Sequence, residues 1–89
     1  MLNTITTLLN EKDLLNGALP VNLRGQEYFI EVEYLIENAT ELSDDRIELH
    51  ARRIMKADFN NDMNGLINAL QAMAREVLRT KPELLTNAS

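Results

Sequence analysis

Apolar and polar residues alternate almost without a break from residue 27 to residue 37. Even positions read Tyr28, Ile30, Val32, Tyr34 and Ile36, while odd positions read Glu27, Phe29, Glu31, Glu33, Leu35 and Glu37. A side-chain period of two, written in β-branched and aromatic residues, predicts a strand with one face in a core and one in water. Just upstream, Val21-Asn22-Leu23 and then Arg24-Gly25-Gln26 supply a shorter alternating piece and a glycine-containing turn, which predicts a β-hairpin. A lone hairpin is marginal in water, so the Tyr28, Ile30, Val32 and Tyr34 face must lie against helices. A helix over 26–41 is the competing reading. Phe29, Val32 and Ile36 also fit helical spacing, and Glu33, Glu37 and Glu41 would then line one side. Five consecutive apolar even positions favour the strand.

The remainder reads as helix. A first helix from about Thr4 to Leu15 places Ile5, Leu8, Leu9 and Leu15 on one side, and Asn16-Gly17 and then Pro20 stop it. Ser43 is the expected N-cap of a second helix, with Asp44 and Asp45 at its positive end. It runs to about Ala57 with Ile47, Ala51 and Ile54 inward, bordered by His50 or Met55. After a tight connector, Asp58-Phe59-Asn60-Asn61, a last helix spans about Asp62 to Thr80. Its apolar stripe is Met63, Leu66, Ile67, Leu70, Met73, Ala74, Val77 and Leu78, and Lys81-Pro82 ends it. So short a link makes these two helices an antiparallel αα-hairpin. The predicted fold class is α+β: an N-terminal helix, a two-stranded antiparallel β-hairpin and a C-terminal antiparallel αα-hairpin, with a small all-α bundle as the fallback. Residues 1–82 are expected to form one domain and 83–89 a fraying tail, with Leu84 and Leu85 available as anchors.

Composition narrows the class. Eighty-nine residues hold one core, and 45% hydrophobic with 26% charged residues is globular rather than disordered. A domain this small buries only roughly 60–65% of its unfolded surface, so a homodimer would add useful burial, although the sequence does not require one. The absence of cysteine excludes disulfides and thiolate metal sites. Asn3, Thr4, Thr6 and Thr7 interrupt the opening segment, no basic residue precedes it, and no apolar run approaches bilayer length. A cytoplasmic protein with no membrane attachment is expected.

Charge is segregated along the chain. Eight acids against one base between residues 27 and 48 give −7, in a chain of net −5 whose remainder therefore sums to +2. The acids are Glu27, Glu31, Glu33, Glu37, Glu41, Asp44, Asp45 and Glu48, and a merely solvated face usually mixes lysine with glutamate. Phe29 and Leu35 interrupt this wet face as the apolar anchors expected of an interface. These ten residues predict a docking surface for a protein partner with a basic surface. A carboxylate ladder also resembles phosphate spacing, so the partner class includes nucleic-acid-processing enzymes whose groove such a mimic would block.

A weaker signal lies on the last helix. Asn64, Asn68, Gln71, Arg75 and Arg79 share one polar stripe, and these side-chain types make bidentate contacts with base edges. With Arg52, Arg53 and Lys56 reaching phosphates, they form the alternative of a DNA-binding transcriptional regulator. An acidic pI near 4.7 weighs against it.

Catalysis has the thinnest basis. His50 is the only histidine, the serines are Ser43 and Ser89, and the acids around Asp44 lack calcium-loop spacing, so no metal, cofactor or nucleophilic triad is expected. Gly65 inside the strongest helix either admits a close neighbour or belongs to its first turn. The reading of the sequence is therefore a non-enzymatic regulator or inhibitor that works by contact.

Overall fold

The computed structural model describes residues 2–42 and 44–84. Along the chain stand α1 (Leu2–Glu11), β1 (Ala18–Leu23), β2 (Gln26–Glu31), α2 (Val32–Leu42), α3 (Asp45–Phe59) and α4 (Met63–Thr80). The α+β class and the order of helix, antiparallel hairpin and C-terminal helical pair are as the pattern predicts. One element is additional: the alternating run is divided between a strand and the helix α2.

The physical cause of that division is the length of the partner strand. Ala18 pairs with Glu31, and one further rung joins Val32 N–H to Gly17 O at 3.0 Å. Beyond it β1 has no residues left to offer, so a longer β2 would carry unpaired peptide groups, whereas a helix satisfies its own. The side chains agree. Val32, Leu35, Ile36 and Ala39 fall at helical spacing and are all buried, with Leu35 at 0% exposure. A strand through the same residues would turn Leu35 to water, a loss of about 2 kcal/mol. The helix leaves only Tyr34 outside, at 40%. Residues 32–36 carry both periods, and the supply of backbone partners decides between them.

The hairpin itself closes with two residues. Leu23 faces Gln26, and Arg24 and Gly25 between them have φ of 54° and 81°, the doubly positive pair of a type I′ turn whose twist matches the strands. Its inner face gives Leu19, Val21, Leu23 and Ile30 to the core.

Helix ends follow side-chain chemistry more closely than glycine positions. The first helix stops at Glu11, well before Asn16-Gly17, because Asp13 takes the left-handed conformation with φ 62°. Asp13 N–H then bonds Asn10 O at 3.1 Å and Leu14 N–H bonds Leu9 O at 2.8 Å, a Schellman closure. Asn61, with φ 56°, closes α3 in the same way through Asp62 N–H to Ala57 O at 2.8 Å. Ser43 lies outside the described residues, and the N-cap of α3 is Asp44, whose carboxylate accepts from Arg46 N–H at 2.8 Å.

The most extensive packing is between α3 and α4; β1 and α2 lie on α4, and α1 on α3 and α2. Ile5, Leu9, Leu35, Ile47, Ile54, Leu66, Leu70, Met73 and Leu78 form the centre of the core. Met63 departs from the predicted stripe and is 48% exposed, since it is the first residue of α4 and precedes the packed turns. Of the expected tail, Leu84 is buried as an anchor, while Leu85 lies outside the described residues. Among the described residues no helix is long and apolar enough to cross a membrane.

Gly65 belongs to the first turn of α4. The N-cap Asp62 accepts from Gly65 N–H at 2.9 Å, and a Cβ on Gly65 would meet the Asp62 carboxylate, its Cγ at 2.9 Å. Gly65→Ala alone is therefore expected to give none of the usual gain for alanine in a helix, because the new methyl displaces the cap. In an Asp62→Ala background the same substitution is expected to stabilise by about 0.5–1 kcal/mol. Urea denaturation of the four proteins in this cycle measures both values.

Candidate functional site

The residues of the acidic segment separate into three sets. On β2, Glu27, Phe29 and Glu31 share the outer face of the hairpin, all exposed, and pair across it with Asn22, Pro20 and Ala18. On α2, Glu33, Glu37 and Glu41 recur every fourth residue along one side. They line an open groove of about 400 Å³ whose opposite wall is Asn3 and Thr6 of α1. Around the start of α3 stand Asp44, Asp45 and Glu48. The single carboxylate ladder expected from a continuous strand is thus absent: α2 turns 100° per residue where a strand would alternate.

Leu35 leaves the site altogether. It is fully buried in the core, so of the two apolar anchors expected only Phe29 remains, 55% exposed between Glu27 and Glu31.

Neutralisation is limited. Glu41 pairs with Lys81 at 3.0 Å and Asp44 with Arg46 at 3.3 Å, whereas Glu27, Glu31, Glu33, Glu37, Asp45 and Glu48 form no ion pair among the described residues. The Lys81 ammonium also donates to Asn38 Oδ1 at 3.1 Å, and Asn38 Nδ2 donates to Tyr34 O at 2.9 Å. This network holds the end of α4 onto α2. A side-chain hydrogen bond from Arg46, helped by the Arg46 backbone N–H, keeps the Asp44 carboxyl below the usual carboxylate range.

The polar stripe of α4 is divided among separate tasks. Gln71 Nε2 donates to Pro20 O at 3.0 Å and so fastens β1 to α4. Arg79 pairs with Glu76 at 3.4 Å, and Glu76 also meets Arg46 at 3.5 Å. Asn64 is exposed at the start of the helix. Asn68 and Arg75 instead line a groove of about 520 Å³ between α3 and α4, together with Arg53, Lys56 and Asn60 over a floor that includes Ala57, Ala69 and Ala72. Arg53, Lys56 and Arg75 make no ion pair among the described residues, so this is a basic channel on an acidic protein.

The sequence pattern does not single out two exposed apolar positions, Leu49 on α3 and Phe59. Phe59, which the pattern places in the connector, is the last residue of α3 and is 87% exposed at the tip of the helical pair. Its signal in the sequence is helical phase, since Phe59 lies five residues past the inward Ile54 and so on the far side of α3. No protein-family model, curated protein or solved structure matches this chain.

His50 sits beside the basic channel with its Nδ1 buried and without a hydrogen-bond partner among the described residues. Burial, and then the Arg53 and Arg75 guanidinium groups, hold its pKa below the ordinary 6.5, with the Glu76 carboxylate opposing them. The unfolded chain therefore takes up this proton more readily than the folded one. The stability concerned is complete above about pH 6.5 and lost as pH falls through the depressed native value. Urea midpoints are expected to decline from pH 7 to pH 5, and His50→Gln to flatten that decline. The Asp44 contribution disappears only below about pH 4, so the two windows are separate.

Proposed function

We propose that this protein is a non-enzymatic binding module that captures a basic partner protein through the outer face of its hairpin and the carboxylates at its margin. The single observation carrying this reading is Phe29, a half-exposed aromatic ring between two unpaired glutamates and across from Pro20. An aromatic anchor that desolvates at the centre, ringed by charge that steers the encounter, is the arrangement of an interface hot spot. Glu33 and Glu37, free of ion pairs among the described residues, extend the negative potential onto α2. The partner is a protein with a lysine- or arginine-rich surface, a class that includes enzymes acting on nucleic acids; regulation or inhibition by occupation, within the cytoplasm, belongs to the same proposal. Affinity capture from native cell extract with mass spectrometry is expected to return a basic protein whose retention weakens with salt. Glu27→Lys with Glu31→Lys is expected to abolish that retention and leave the melting temperature nearly unchanged. Undiminished capture by this variant removes the reading.

The channel between α3 and α4 supports a second reading. Three unpaired cations with Asn60 and Asn68 suit a phosphodiester backbone, in a DNA-binding regulator that uses Arg53, Lys56, Asn68 and Arg75 rather than the whole α4 stripe. A duplex-mobility shift at low ionic strength is expected on this reading. Arg53→Ala and Arg75→Ala weaken it, and log affinity falls against log salt with a slope of about −0.9 for each phosphate engaged. No shift at low salt disposes of it.

A further inference from the structure

We infer that the outer edge of β2 is a strand-addition site whose occupant is an extended, basic segment of another protein. The inference rests on the acidic-face reading above and specifies how the partner is held.

The direction of the peptide groups follows from the ladder. In an antiparallel pair, hydrogen-bonded and non-hydrogen-bonded residue pairs alternate. The Val32 N–H to Gly17 O bond makes that pair a bonded one, so Leu19–Ile30, Val21–Tyr28 and Leu23–Gln26 are bonded as well. The intervening pairs, Ala18–Glu31, Pro20–Phe29 and Asn22–Glu27, therefore direct their N–H and C=O groups away from the hairpin. An independent contact agrees: Pro20 O, one of the groups so directed, accepts from Gln71 Nε2.

The two edges differ. On β1, Pro20 has no N–H to donate and its carbonyl is taken by α4, so that edge is closed to another strand. On β2, the ladder turns the N–H groups of Glu27, Phe29 and Glu31 and the carbonyls of Glu27 and Phe29 outward, while the Glu31 carbonyl precedes α2 and serves its first turn; all three side chains are exposed. Three N–H donors and two carbonyl acceptors thus stand in a row, spaced at two-residue intervals, which is the slot an added strand requires.

Charge selects the occupant. A second copy paired antiparallel about Phe29 would set Glu27 against Glu31 of its neighbour twice, and an in-register parallel pairing would align each glutamate with itself; like charges directly opposite are destabilising. The side chains that exclude a second copy favour a strand reading basic, apolar, basic at alternate positions, with its central residue against Phe29.

The test uses the full-length protein and an acetylated, amidated peptide Thr-Arg-Thr-Val-Thr-Arg-Thr, followed by amide NMR and hydrogen exchange. The expected result is at least tenfold slower exchange at the Glu27, Phe29 and Glu31 amides at saturation, with Tyr28 and Ile30 unchanged. N-methylation of the peptide amides on one edge is expected to weaken binding at least tenfold, and on the opposite edge to leave it intact. Binding that tolerates methylation on both edges, or no perturbation of residues 27–31, overturns strand addition. So does concentration-dependent dimerisation through β2 seen by light scattering. Partner capture that is still lost with Glu27→Lys and Glu31→Lys would leave the acidic-face reading standing in any of those cases, so the two failures are distinguishable.

Discussion

The structure depends on the rung between Gly17 O and Val32 N–H, the last backbone bond that the hairpin makes. Every buried peptide group needs a partner, and an unmet one costs on the order of 1–3 kcal/mol. Up to Glu31 the partner is β1; from Val32 onward no strand is available, so the chain satisfies itself by coiling. That change of period directs Leu35 and Ala39 into the core beneath α4, and it turns Glu33, Glu37 and Glu41 toward α1 instead of along the sheet. The same rung sets which strand groups face each other and which face outward.

Consolidation of the fold uses polar side chains at a few long-range points. Gln71 holds β1 against α4, Lys12 meets Asp58 at 3.2 Å between the ends of α1 and α3, and Lys81 joins the end of α4 to Asn38 and Glu41 of α2. The exposed partners in these pairs contribute little individually. Their effect is orientation: cations from the C-terminal half are drawn to some acids and leave others unpaired. Among the described residues Arg24, Arg52, Arg53, Lys56 and Arg75 form no ion pair, and the last three collect in the α3–α4 channel. The molecule therefore presents unneutralised carboxylates on its hairpin and α2, and a basic channel between its last two helices, despite its net charge of −5.

This division explains why one candidate site gained definition and the other lost it. Phe29 stays outside because β2 has a single covered face, so its neighbours Glu27 and Glu31 stay with it. The α4 stripe was a correct statement of helical spacing but not of availability. Which amide or guanidinium is consumed inside the protein depends on what packs against it, and Gln71 meets a carbonyl 51 residues away in the chain.

Local chemistry by itself determined the helix around Ile5 and Leu9, the turn at Arg24-Gly25, the β2 alternation as far as Glu31 and the apolar stripe of α4, because each is a matter of spacing between near neighbours. It also determined that acid is concentrated between residues 27 and 48. Only the tertiary structure decided that Val32 begins a helix, that Leu35 is core, and that Gln71 and Lys81 are occupied. The physical reason is that residues 32–36 carry both periods, and the choice falls to whether a second strand is there to receive their backbone hydrogen bonds and whether a core is there to receive Leu35.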